Sequence, residues 1–319
     1  MADNQKHIQA EETRFETWNQ ESRKKKKKRE TSKRRNDIHM TENEFILQDR
    51  LGVIRDTINK YGEENFYLSF SGGKDSTVVH HLLDMAVPDN RIPRVFDDTG
   101  IEYNLVREFV QSLNDDRIVT VKPRKNIRET LEKVGYPFKS KEHSQRVSEY
   151  QAYHKIYPYI QRYIDGVDRN GNKKGFQCPD ILKYQFTEEF TLKVSHLCCK
   201  ELKKKPLNEW MEKNGKSISI TGMMRGEGGA RSNIDCIHFK NGKVNKFHPL
   251  AKVTKEWEEW FIQEYKIELC KLYYEPYNFE REGCKGCPFS LSLRATGNDA
   301  KILSGRTEAM RNHMEACLR

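Results

Sequence analysis

The sequence predicts an α/β fold: a parallel sheet with helices on both faces, a helical insertion, and a cysteine-bearing C-terminal segment. Three observations predict it. Short apolar runs alternate with amphipathic stretches at the spacing of strand–helix units. The first of these runs enters a glycine-rich turn that opens a helix. A polar, tyrosine-rich stretch at about residues 139–197 then interrupts the alternation.

Taken in order, a helix is expected from Met40, with Phe45, Ile46, Leu51, Ile54 and Ile58 at helical spacing, ending near Tyr61-Gly62. Phe66, Leu68 and Phe70 form the first strand, and Val78, Val79, Leu82 and Leu83 place a helix after it. Val95 and Phe96 form a second strand, which ends in Asp97-Asp98-Thr99-Gly100. A helix carries Leu105, Phe109, Val110 and Leu113; Ile118 to Val121 is a third strand, and Asn126 to Val134 another helix. The insertion reads as helices lying over the sheet. Ser217 to Ile220 is a fourth strand, ending in Thr221-Gly222, and Thr254 to Tyr265 a helix that packs through Trp257, Trp260, Phe261 and Tyr265. The expected organisation is a disordered basic tail at 1–40, an α/β domain at 41–270 and a C-terminal segment at 271–319.

Ser71-Gly72-Gly73-Lys74-Asp75-Ser76 joins the first strand to its helix. Two glycines let a backbone approach an anion closely, and the first helical turn offers free N–H groups and the positive end of the dipole. Lys74 adds a point charge, and Ser71 and Ser76 add hydroxyls. The spacing is not that of a Walker A loop. In parallel sheets ligands sit beyond the carboxyl ends of strands, so this turn and Asp98-Thr99-Gly100 are expected to face one nucleotide.

The chain has 319 residues, 36% hydrophobic and 33% charged, with a formal net charge of +10. No apolar run reaches membrane-spanning length and the N-terminus lacks a signal-peptide core, so a cytoplasmic protein without a membrane partner is expected. Half of the excess charge lies in residues 1–40, around the unbroken run Arg23 to Arg29. Such a tail suits phosphate backbones through counterion release, or serves as a solubilising extension.

Cys198-Cys199 and Cys284-x-x-Cys287 bring together four of the eight cysteines. Four thiolates suit an iron–sulfur cluster or Zn²⁺. Adjacent cysteines on a helix point about 100° apart, awkward for one tetrahedral ion and workable on two corners of a cubane. Buried free thiols are the plain alternative. The glycine-rich segment Gly222 to Arg231 offers the guanidinium forks of Arg225 and Arg231 for phosphate or sulfate.

Over residues 60–290 these motifs, with Pro206-Leu207 and His248-Pro249-Leu250, resemble the phosphoadenosine phosphosulfate reductase family of the PP-loop adenine-nucleotide α-hydrolase-like superfamily. The cysteine pattern resembles that of iron–sulfur adenosine phosphosulfate reductases and is also similar to DNA phosphorothioation ATP pyrophosphatases. The resemblance implies a Rossmann-like PP-loop sheet and a nucleotide held by Ser71, Gly72, Gly73, Lys74, Asp75, Ser76, Thr99, Gly100, Thr221, Gly222 and Arg225. It implies ATP with Mg²⁺, or a sulfonucleotide, and a 4Fe–4S cluster on Cys198, Cys199, Cys284 and Cys287. Catalytic roles fall to Lys74, Asp75, Asp98 and Arg231, with Cys236 a candidate sulfur carrier beside Cys178, Cys270 and Cys317. Asp98 is a candidate to hold Mg²⁺ or to orient the nucleotide.

Three departures bear on the activity. Lys74 is present, whereas phosphosulfate reductases lack the lysine-containing loop. The chain ends Glu315-Ala316-Cys317-Leu318-Arg319, without the reductases' Glu-Cys-Gly-x-His tail. Met224 stands where the family places an arginine, with Arg225 beside it. The expectation is therefore an enzyme that splits ATP into an adenylate and pyrophosphate for sulfur transfer, with nucleic acid as a candidate acceptor through the tail. A sulfonucleotide reductase is the alternative, and a non-catalytic nucleotide-binding accessory protein of a defence or mobile-element system is a third reading. A sulfur donor protein or reductant is an implied partner, and a homodimer is compatible with the sequence.

Overall fold

The computed structural model describes Lys24 and residues 40–175, 177–227 and 231–290. The basic run, except Lys24, and Cys317 lie outside the described residues. The chain divides into two units, Met1–Gln48 and Asp49–Arg319. The sheet and the candidate site lie in the second. Helix α1 (Glu42–Tyr61) begins in the first, where Thr41 Oγ1 accepts from the Glu44 N–H and the Glu44 carboxylate accepts from the Thr41 N–H. That reciprocal pair is a capping box. No described helix is long and apolar enough to cross a membrane.

The sheet has six strands in the order β3-β2-β1-β4-β6-β5. They are β1 (Phe66–Phe70), β2 (Arg94–Asp97), β3 (Ile118–Val121), β4 (Ile218–Ile220), β5 (Ile237–Lys240) and β6 (Lys243–Phe247). All neighbouring pairs are parallel except β5 with β6. Central strand β1 is covered on both faces, with Phe66, Tyr67, Leu68 and Phe70 buried. This explains its almost continuous apolar run. Each such side chain contributes about 1.5–3 kcal/mol by leaving water.

From β1 the chain builds β2 and β3 to one side, then returns to lay β4 on the other. The switch between β1 and β4 opens a crevice at their carboxyl ends. Helix α2 (Lys74–Ala86) follows β1 and buries Val78, Val79, Leu82 and Leu83. Arg94, fully buried on β2, donates to Asp84 Oδ1 on α2 at 2.7 Å, and Arg117 donates to the same oxygen at 2.7 Å.

Helices α3 (Asn104–Ser112) and α4 (Ile127–Val134) lead to the insertion. The insertion holds α5 (Lys141–Tyr153), α6 (Pro158–Asp165) and a 3-10 turn (Asp180–Phe186), around its own core of Val147, Tyr150, Ile160, Tyr163, Phe186 and Val194. Cys178 is part of that core. A π turn (Lys200–Lys204) runs into α7 (Lys205–Lys213), and α8 spans Lys255–Glu264 with Thr254 as its cap. Trp257 and Phe261 of α8 are buried as expected, whereas Tyr265 is 43% exposed because it lies just past the helix end.

Candidate functional site

The turn after β1 is held by its own hydroxyls. Ser71 Oγ accepts from the Gly73 N–H at 3.2 Å and lies 3.1 Å from Ser76 Oγ, which donates to the Gly73 carbonyl at 2.9 Å. Gly72 has φ +76°, and a Cβ there would come within 2.9 Å of Val110 Cγ2. The site therefore requires glycine twice over, by torsion and by space. The Lys74 N–H donates to the Tyr273 hydroxyl at 3.0 Å.

Two carboxylates that local sequence patterns do not single out face this turn, buried Glu258 and half-buried Glu282. Glu258 of α8 lies 3.5 Å from Lys74 Nζ, and burial together with Asp75 pushes its carboxyl up to about 7. Glu282 accepts from the Tyr273 hydroxyl at 3.3 Å, and a Cβ at Gly73 would overlap its carboxylate. Burial pushes Glu282 up to about 8. Glu258 hid among the aromatic packing residues of α8, where helical periodicity assigns an inward position but not a partner.

The strand ends beside β1 complete the crevice. Gly222, after β4, approaches α2 so closely that a Cβ would meet the Asp75 backbone carbon and oxygen at 2.7 Å. Thr221 Oγ1 lies 2.7 Å from Nδ1 of buried His248, whose pKa burial lowers to about 4. After β2, Asp98 accepts from Arg107 Nε at 2.9 Å and from the Gly100 N–H at 3.2 Å. The Thr99 N–H and hydroxyl both donate to Glu102, at 2.9 and 2.7 Å. Half-buried Asp97 is pushed up to about 7 by loss of solvent.

Glu102 also accepts from Lys203 Nζ at 3.2 Å, which links the Thr99 turn to the cysteines. Cys198, Cys199, Lys203, Cys284 and Cys287 line one cavity of about 80 Å³. The C-terminal pair arrives there because the Lys285 N–H donates to the Ile101 carbonyl at 2.7 Å, and Cys287 N–H closes the turn on the Cys284 carbonyl at 3.1 Å. The Cys198 contact lowers Cys199 to about 6, aided by Lys203, Lys141 and Lys204. Burial pushes Cys284 up to about 11. Burial works against the Lys203 charge, but Cys284, Glu102 and Asp97 outweigh it and raise its pKa. Among the described residues, no group of three or more His, Cys, Asp or Glu side chains is gathered as a single-ion site.

The remaining candidates lie apart from these two centres. Cys236 receives an N–H of buried Arg50 at 3.7 Å, beside His248. Cys178 and Cys270 are buried, and burial raises both thiols. Arg225 braces its own loop, donating to the Ile234 carbonyl and to Asp235, each at 2.6 Å. Met224 is buried. Arg231 lies half-buried just past residues 228–230, which are outside the described set.

The fold is similar to several solved structures. One is phosphoadenylyl-sulfate reductase from Candida auris, solved as a phosphate complex: 13% identity over 74% of this chain and 95% of that one, TM-score 0.41. FMN adenylyltransferase from Candida glabrata shows 12% identity over 76% of this chain and 61% of that one, TM-score 0.43. The U34-tRNA thiolase NcsA from Methanococcus maripaludis, solved with its 4Fe–4S cluster, shows 14% identity over 86% of this chain and 81% of that one, TM-score 0.37. No curated protein sequence matches the chain. The family model described as phosphoadenosine phosphosulfate reductase domain matches residues 65–170 and 175–289, and the chain belongs to that family.

Proposed function

We propose that the protein is a PP-loop enzyme that cleaves ATP to an adenylate and pyrophosphate for sulfur transfer. The observation that carries this reading is the complete Ser71–Ser76 turn at the β1/β4 switch, with Lys74 at the start of α2. Ser71 and Tyr273 hydroxyls satisfy the Gly73 and Lys74 N–H groups. A phosphate oxygen replaces these neutral partners with a stronger acceptor. Mg²⁺ enters on the β- and γ-phosphates as part of the substrate.

In the first step an acceptor oxygen attacks the α-phosphorus. The O–Pα bond forms, the bond to the αβ-bridging oxygen breaks, and pyrophosphate carries away the negative charge. Lys74 and the N–H groups of the turn stabilise that developing charge. A sulfur nucleophile from a donor then displaces AMP from the adenylated acceptor. Asp75 and Gly222 hold the turn against β4, while Asp98 fixes Arg107 beside the Thr99 turn.

The four thiols that line one cavity are a donor set for a 4Fe–4S cluster, which would supply an iron site to hold or relay sulfur. Adjacent residues on a helical turn point about 100° apart, so the Cys198-Cys199 pair suits two corners of a cubane better than one tetrahedral Zn²⁺. Lys203, which lines the same cavity, would offset its negative charge.

The sulfonucleotide reductase reading is favoured by the family assignment. Product analysis separates the two. The proposed activity gives AMP and pyrophosphate from ATP, with no sulfite from adenosine phosphosulfate. Sulfite release without ATP cleavage would replace it with the reductase reading. Stoichiometric ATP binding without either product, in anaerobically loaded protein, would leave a nucleotide-binding accessory protein.

A further inference from the structure

Cys199 lines two cavities. One holds the other three cysteines. The second, of about 560 Å³, is lined by exposed Lys141, Lys200, Lys204 and Lys205. The π turn builds this charge density. Its i→i+5 bonding, seen in the Lys205 N–H donating to the Lys200 carbonyl, stacks Lys204 over Cys199 and Lys205 over Lys200.

Among the described residues, Lys141, Lys200 and Lys204 form no ion pair, and Lys205 reaches Glu201 at 3.8 Å. Two carboxylates line the cavity, and one of them, Glu209, is engaged by Arg124 at 3.1 Å. Buried His196 Nδ1, on the same lining residue set, has no hydrogen-bond partner among the described residues. Four ammonium groups around one cavity repel each other unless an anion enters. No Phe, Tyr or Trp ring lines it, so its charge, and not a large aromatic platform, is what it offers a strand. No residue of the Ser71–Ser76 turn lines it either.

We propose that this cavity is a second anion site, separate from the PP-loop, that holds the phosphodiester backbone of a nucleic-acid strand against Cys199. The proposal rests on the sulfur-transfer reading only in naming nucleic acid as the acceptor. Lysines that contact phosphates release counterions, so each one lost lowers the salt slope of single-strand binding by about 0.7.

The test is the affinity of the full chain for a labelled single-stranded oligonucleotide across a salt series. Lys141→Ala, Lys200→Ala and Lys204→Ala combined should lower the slope by about 2. Lys60→Ala, Lys133→Ala and Lys243→Ala combined remove the same charge from exposed positions elsewhere and should lower it less. Thermal melting confirms that both variants fold. Equal slopes in the cavity variant and wild type, or equal losses in the two triple variants, would overturn the site. Lys74→Ala separates this proposal from the catalytic one: it should lose ATP cleavage and keep the oligonucleotide slope. Wild type that cleaves no ATP but shows the cavity-specific slope would defeat the catalytic reading alone. A slope lost equally in Lys74→Ala would show that the strand binds at the PP-loop instead.

Discussion

Lys74 and Glu258 face each other across the crevice, Nζ to Oε2 at 3.5 Å, with the Glu258 side chain fully buried. A buried carboxylate beside a phosphate-binding lysine sets a competition. When Glu258 is ionised it claims the ammonium and repels phosphate. When it is protonated, Lys74 is left to the nucleotide.

Glu258 is pushed up to about 7, so it is neutral below that pH and anionic above it. ATP affinity should therefore fall as pH rises through about 7. Glu258→Gln keeps the shape without the charge and should flatten that step while tightening ATP binding above it. Isothermal titration of both forms from pH 6 to pH 8.5 checks this; parallel profiles would show that Glu258 does not control Lys74.

Gly222→Ala should disturb the PP-loop from a distance. The new methyl meets Asp75 backbone at 2.7 Å, and backbone cannot move aside as a flexible side chain would. Overpacking of this kind costs about 1–3 kcal/mol. Chemical denaturation should show that loss, and ATP turnover should fall more than tenfold. A variant with wild-type stability and turnover would contradict the close approach of β4 to α2.

Asp84→Ala should be among the most damaging substitutions outside the crevice. Arg94, fully buried, would lose its carboxylate partner, and Arg117 would lose two donors' worth of acceptor. Stranding a buried charge costs about 3–5 kcal/mol. A urea midpoint within error of wild type would show that Asn90 and the Ile92 carbonyl suffice for Arg94.

The parallel strands were legible because β1 to β4 carry apolar runs bounded by turn signals; β3 falls on the same residues that the sequence indicates, Ile118–Val121. The sequence opens two helices at Asn126 and Thr254; the structure makes both residues N-caps whose side chains accept N–H bonds. The β5–β6 hairpin went unread, although Asn241-Gly242 announces it: both residues have positive φ, as a two-residue hairpin turn demands. Glu258, Glu282 and Tyr273 were illegible for a different reason. Each reaches the Ser71–Ser76 turn from a segment more than 180 residues along the chain, and no local pattern encodes that meeting. The paired spacing of Cys198-Cys199 and Cys284-x-x-Cys287 singled out four side chains that line one cavity. Arg225 shows the limit of the same reasoning, since its guanidinium braces Ile234 and Asp235.

Anaerobically purified protein should be brown with about four iron atoms per chain. Cys199→Ser should bleach it, because it removes one of the four thiols that line the cavity. Iron analysis with absorption spectra reads the result. Colourless protein holding one zinc would contradict the cluster.

In the proposed reaction the Ser71–Ser76 turn drives cleavage of ATP between its α- and β-phosphates. Quantifying nucleotide and phosphate products from MgATP with anaerobically loaded protein tests it most directly. Wild type should release AMP and pyrophosphate in equal amounts, and Lys74→Ala should lose at least a hundredfold of that rate while melting at the wild-type temperature. ADP with inorganic phosphate, or equal rates in the two proteins, would contradict it.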